Sequence, residues 1–262
     1  MTRERMVSGH RGQGLAFKVA LAGGILASLA ALSMAGAGPA YRLEALALGD
    51  AFSMLRYGAF IAFGASGLGL VSLLIAALTR RLLPAVLGAL VILAGLALVA
   101  VPWLQLQQAR SVPPIHDITT DLLDPPAFEA LVAPREAAPN AVAYPGEETA
   151  RQQREAYPDI QPLMLAASLE AVRTAAEAEA REAGWEIAAL EERRLEATDT
   201  TFWFGFKDDV VIRMTETGDG VTGDEVRVDM RSASRLGTSD VGTNAARIRA
   251  FLEALERRVM PQ

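Results

Sequence analysis

The side chains with the most chemical potential in this chain fall in one short stretch, RSASRLGTSDVGTNAARIRAF, at 231–251. Arg231, Arg235, Arg247 and Arg249 carry guanidinium donors, and Ser239, Asp240 and Asn244 carry short polar groups. Gly237 and Gly242 permit a tight turn between an alternating, strand-like pattern and a helical one. Unpaired N–H groups at a helix N-terminus favour an anion, and arginine adds bidentate donors. Arg231, Arg235, Ser239, Asp240, Asn244 and Arg247 are therefore a candidate seat for a phosphate, a carboxylate or a lipid headgroup. The same residues serve a turn and a helix cap, with Asp240 or Asn244 capping amides and an arginine pairing with Asp240 or Asp208. Both accounts stand at this level.

Rival chemistry is thinner. Ser239 lies in GTSDVG on a strand-turn-helix, but a nucleophile elbow needs glycine where this chain has Val241. His116, beside Asp117, reads as a hydrogen-bonded turn residue, and no nucleophile is placed next to it in sequence. Asp208 and Asp209 are adjacent in a strand, so they point to opposite faces and do not share a metal. The chain has no cysteine, which excludes disulfides, thiolate metal ligation and a cysteine nucleophile. No catalytic residue, metal or cofactor is expected from these patterns.

The elements that must position the stretch follow from a split in charge. Residues 1–104 carry eight basic and three acidic side chains, a net of +5, and the remainder carries 17 basic and 28 acidic, a net of −11. An acidic second half lacks the basic stripe that displaces counterions, so nucleic acid is excluded as a partner. Three runs in the first part, 19–37, 59–78 and 82–104, contain no ionisable side chain. Roughly 20 apolar residues in a helix cross the ~30 Å hydrocarbon layer. Ala35-Gly36-Ala37 has the small residues of a cleavage site, yet the first run exceeds a usual signal core and two further runs follow, so it reads as a retained span. Glycine and serine at 23, 24, 64, 66, 67, 69, 88 and 95 suit close helix packing.

Arg3, Arg5, Arg11 and Lys18 precede the first run, and Arg80 and Arg81 fill the short second connection. The positive-inside bias puts both segments in the cytoplasm and everything after about Leu104 outside it. The expected location is the bacterial inner membrane, with residues 105–262 forming a periplasmic domain.

In that domain the proline pairs at 113–114 and 125–126 impose extended backbone, and 127–162 reads as loop with a short helix or two. A helix is expected over 163–183, where Leu165, Leu169, Val172 and Ala176 recur at helical spacing before Gly184. Strand patterns follow at 185–199, 200–206, 210–216 and 225–234, with TGDG at 217–220 a turn. Phe202, Phe204 and Phe206 share a face of the second of these, with Trp203 opposite, and are expected in the core or, if the sheet curves around a cavity, along an apolar ligand pocket. Ile248, Phe251, Leu252, Leu255 and Val259 mark a closing helix over 244–259. The fold class is α+β: an antiparallel sheet covered by helices in two layers, preceded by a three-helix transmembrane region.

The motifs IHDITTD (115–121), DPPAF (124–128), AYPDI (156–160), EATDTTFWFGFKDDVVIR (196–213) and the 231–252 stretch resemble, in that order, the bacterial and plastid family catalogued as domain of unknown function 1499. The resemblance covers about 105–260 and implies no activity; it marks Asp208, Asp209, Arg213, Arg231, Ser234, Arg235, Ser239, Asp240, Asn244 and Arg247 as the family's charged and polar positions. Two function classes remain: a domain that binds a small apolar or anionic ligand such as a lipid, or a structural or assembly factor that docks on another envelope protein. Membrane lipids are an expected partner under both. Alkaline phosphatase fused after Arg81 is expected to be inactive and after Arg110 active; the reverse pattern would overturn the orientation.

Overall fold

Each uncharged run is part of a longer helix in the computed structural model, which describes residues 2–218 and 224–260. Helices α1 (Thr2–Arg42), α2 (Leu48–Leu78) and α3 (Leu82–Ser111) are long and apolar enough to span a bilayer. Their packing is set by small residues. Gly69 of α2 and Gly88 of α3 meet backbone to backbone, so that a Cβ on either would lie 2.7 Å from the other's carbonyl oxygen. Gly95 sits against Ser66, and Gly58 against Met34 of α1. Gly64 and Gly67 face open space, so in the second span the contact runs through Ser66 and Gly69. Buried Ser72 on α2 has its hydroxyl 2.8 Å from the Ala16 carbonyl of α1 and 3.2 Å from the Pro84 carbonyl of α3, a polar tie among three helices.

The chain divides into two compact units, 1–107 and 108–262. In the second, six strands form one antiparallel sheet: β1 (Asp117–Thr119), β2 (Leu163–Leu165), β3 (Glu186–Leu190), β4 (Arg194–Thr200), β5 (Lys207–Glu216) and β6 (Val226–Ser234). Their order is β1-β6-β5-β4-β3, and β2 also pairs with β6. The short β1 and β2 share one flank of β6, β1 opposite 231–233 and β2 opposite 226–228. Alternation sorts the two faces. Leu195, Ala197, Val210, Ile212, Met214, Val226, Val228 and Met230 form the main core with α6 (Leu169–Glu182) and α7 (Thr243–Val259), where Trp185 stacks on Phe251 at 5.0 Å. Val211 and Ala233, on the other face, meet Phe128 and Leu131. That second face is covered by the segment between β1 and α5 (Glu147–Ala156), which carries the single-turn α4 (Val132–Glu136).

Three expectations change. The helix over 163–183 begins only at Leu169: Ser168 caps it by accepting from the Ala171 amide, and Leu163–Leu165 pairs with β6 instead, so the burial of Leu165 comes from a strand. The strand read over 185–199 is a hairpin, β3 and β4 turning at 191–193. The run 200–206 is not a strand beyond Thr200. Thr201 closes a tight connection by accepting from the Gly205 amide and donating to the Phe206 carbonyl, with Gly205 at φ +70. Phe202 consequently stands 93% exposed rather than in the core, whereas Phe204 is buried. The expected turn at 217–220 lies partly outside the described residues; Thr217 and Glu225 pair across its base.

On α7, Ile248, Phe251 and Leu255 are buried and Leu252 is half-buried at the rim of the same core. Leu255→Ala is expected to destabilise by ~2–5 kcal/mol, the range for a cavity left by a buried leucine. Leu252→Ala should lose about 1 kcal/mol. Urea melts of the intact protein in micelles would check the order, and equal losses would mean that α7 is rotated.

Candidate functional site

Four of the six candidate residues lie in two networks on opposite faces of the sheet, Asn244 and Arg247 on one and Arg231 and Arg235 on the other, while Ser239 and Asp240 stay in the turn. β6 alternates, so Ser232 points to the helices and Arg231 to the other side. On the helix side Arg247 is buried, with Nη1 donating to Ser232 Oγ at 3.0 Å and to Asn244 Oδ1. Its Nη2 reaches Asp199 Oδ2 and Asp208 Oδ2, each at 2.7 Å, and its Nε donates to Asp199 at 3.0 Å. Asn244, wholly buried, accepts from Ser232 and donates to the His116 carbonyl and to Ser234 Oγ. It knits the start of α7 to the ends of β1 and β6.

On the opposite face Arg231 forms a bidentate pair with Asp117, Nε to Oδ1 at 2.9 Å and Nη2 to Oδ2 at 2.7 Å, and donates to the Pro126 and Val142 carbonyls. Asp209 receives four donors: Nε and Nη2 of Arg235, Nη1 of Arg135 and the hydroxyl of Thr198. Arg135, fully buried, also donates to the Ala233 and Ala141 carbonyls. The guanidiniums of Arg135 and Arg231 lie 4.6 and 4.8 Å from the centroid of the Phe128 ring. Buried Glu196 accepts from the Glu129 and Leu131 amides at 2.7 and 3.0 Å. Charges on this face are matched to carboxylates built into the strands, and of the donors left over most hold carbonyls of the covering segment or of β6, while Arg135 Nε is buried without a partner among the described residues.

The turn itself supplies the cap. Asp240 accepts from the Gly242 amide at 2.9 Å and the Asn244 amide at 2.7 Å, two of the donors that a helix start leaves unpaired. Ser239 Oγ accepts from the Val241 amide at 3.2 Å. Val241 sits at φ +56, a left-handed conformation disfavoured for a β-branched residue, and Gly242 follows at φ +84. Burial pushes the Asp240 carboxyl above its ordinary range, with the Asp208 charge adding to it, against the two amide bonds. Arg249 pairs outside the turn with Asp159, and Arg213 with Asp121, Asp124 and Asp229. Asp208 and Asp209 face opposite ways as their adjacency requires, one to Arg247 and the other to Arg135 and Arg235.

Residues 117–255 match the family described as "Protein of unknown function (DUF1499)", over half of the chain. The chain belongs to that family. No curated protein matches it. The DUF1499 region begins at Asp117 and ends at Leu255, so it includes both networks and leaves the three apolar helices outside.

Sequence reasoning missed Arg135, Asp117, Asp199 and Glu196 as partners. Glu196 carried a signal, since a carboxylate inside a strand between the apolar Leu195 and Ala197 demands a cation or amides, whereas Asp199, between two threonines, carried none. Arg135, in a short helix flanked by loop, carried none. Arg231→Gln is expected to cost ~3–5 kcal/mol, because it leaves the Asp117 carboxylate buried without its partner. Asp240→Ala should cost ~0.5–2 kcal/mol, the range for a lost cap. With its pKa raised by folding, Asp240 keeps its proton to higher pH in the native state, so its contribution declines as pH rises from the ordinary value of about 3.9 through the raised one. Asp240→Asn should flatten that decline; denaturant melts across pH would read all three variants, and an unchanged pH profile would contradict the burial of the carboxyl.

Proposed function

We propose that this DUF1499 protein is a structural or assembly factor of the bacterial inner membrane, its N-terminus cytoplasmic and its α+β domain periplasmic, docking on another envelope protein. One observation carries this reading: Arg231, Arg235 and Arg247, the cations of the candidate anion seat, are engaged by Asp117, Asp209, Asp199 and Asp208. An incoming anion would have to displace buried carboxylates that already satisfy these donors, and breaking such pairs is expensive. The arginines act on the fold, and recognition falls to the outer surface. The orientation rests on the arginines around the first span and in the 78–82 connection.

A second reading, binding of an apolar ligand, is favoured by a groove of about 630 Å³ in the membrane unit. Phe17, Leu21, Gly24 and Ser28 of α1 line it opposite Leu90 and Ala94 of α3, an apolar cleft suited to a lipid chain.

Native mass spectrometry of the intact protein released from its own membrane separates the two. The docking reading expects a protein adduct on cross-linking in that membrane, no stoichiometric small molecule, and no rise in melting temperature with millimolar sulfate. A lipid retained at one per chain, and lost when Ala94→Phe fills the groove, would replace it with the second reading.

A further inference from the structure

The two margins of the sheet are finished differently. Beyond β1, the carboxamide of buried Gln153 on α5 donates to the Thr119 carbonyl at 2.6 Å and accepts from the Thr119 amide at 3.1 Å, so a side chain stands where another strand would. At the other margin β3 pairs with β4 alone among the described residues. A strand at an edge carries unpaired N–H and C=O groups along its outer side, and another extended chain can use them. Lysine and proline, two common guards against such addition, are absent from 185–194, and the middle of the strand is Ala188 and Ala189, small enough for a second backbone to approach. Ile187 and Leu190 lie half-buried at the rim of the main core, so an added strand also has apolar area to cover.

Charge narrows the occupant. Arginine answers carboxylates over most of this unit, as at Asp117, Asp159 and Glu216. Glu186, Glu191 and Glu192, which bracket β3, are exposed and make no ion pair among the described residues. The nearest cations in sequence are taken, Arg193 by Glu216 and Arg194 by Glu129. A second copy of the chain fits poorly. Antiparallel pairing of β3 with its own copy brings Glu186 of one beside Glu191 and Glu192 of the other, and like charges opposite each other are destabilising. The bulge between Ile187 and Ala189 adds a local twist that a self-paired ladder has to absorb twice. A basic segment meets attraction at both ends of the strand in place of repulsion.

We propose that β3 is the docking edge of the unit and takes a basic, extended segment of another protein as a seventh strand, with lysine or arginine of that segment against Glu186 at one end and against Glu191 and Glu192 at the other. At about 3.3 Å per residue, the distance along the strand from Glu186 to Glu191 is roughly 17 Å. The matching segment therefore has two cations about five residues apart, with uncharged, β-forming residues between them. Main-chain bonds supply the affinity of such an addition, and the flanking charges set the choice of partner. The inference rests on the docking reading above and names its surface.

The test uses the full chain in its own membrane, with the photoreactive residue benzoylphenylalanine in place of Ala188, whose side chain is exposed. Light is expected to join it to another protein, at a segment with two lysines or arginines about five residues apart. A chain that also carries Glu186→Gln, Glu191→Gln and Glu192→Gln is expected to give that adduct at about one-tenth of the yield, since several exposed charge pairs are lost together. Hydrogen exchange over 186–190 should slow by about tenfold or more in the complex, because an added strand protects backbone amides and side-chain docking alone does not. Melting of each chain at the parent temperature verifies the fold. An adduct with a second copy, an adduct on a segment without those cations, an undiminished yield from the triple variant, or unchanged exchange overturns the proposal. Formaldehyde applied to the parent chain separates this failure from that of the docking reading. A partner adduct there with none from position 188 removes the β3 edge and leaves docking standing, whereas no adduct from either removes both.

Discussion

The second unit depends on burying arginine against one face of its sheet. A guanidinium cannot lose water without partners, and the penalty for an unpaired buried charge exceeds what any single apolar contact returns. Arg231 and Arg135 therefore force two things at once. Carboxylates must stand in the neighbouring strands, as Asp117 and Asp209 do, and carbonyls must be brought over the face from outside it. Pro126, Ala141 and Val142 supply those carbonyls, which is why the segment between β1 and α5, mostly without regular structure, is nevertheless fixed. Phe128 between the two guanidiniums completes the layer by giving each a ring face.

This constraint explains the asymmetry of the sheet. The face toward α6 and α7 is held by area, with aliphatic side chains alternating along β4, β5 and β6 and about 25 cal/mol recovered per Å² buried. The other face is held by direction, since bidentate pairs fix both distance and angle. Asn244 and Arg247 bring a smaller polar network into the seam where α7 begins, so the helix is registered against the strand ends as well as packed on them. The membrane unit works by a third rule: with lipid as apolar as leucine, close approach of Gly69 and Gly88 and the shared hydroxyl of Ser72 take over from hydrophobic burial.

Much of this was legible in one sequence. Uncharged runs of sufficient length permit little besides a membrane helix, because no other single segment satisfies its backbone there. Period-two alternation in Val226–Ser234 and helical spacing in Ile248–Leu255 placed β6 and α7 within a residue or two, and the adjacency of Asp208 and Asp209 put them on opposite faces. These signals are local and each has one physical cause. Gly184 at φ +78 and Asp240 at the α7 start were readable for the same reason, since helix ends leave backbone groups that few residue types can serve.

What the sequence could not determine is which partner each charge finds. Four arginines and several carboxylates within 231–251 and the strands before it permit many pairings of similar local sense. The choice between an open anion seat and a closed ion pair depends on residues as far off as Asp117, Phe128 and Arg135, which only the sheet register brings near. Thr201–Phe206 makes the same point: its aromatic run reads as a strand, but Gly205 and the Thr201 bonds turn the chain before a strand partner is reached, and Phe202 goes outward. Periodicity states which side chains would share a face if the backbone stayed extended. Whether it stays extended, and which charges meet across it, is decided by contacts between segments distant in the chain.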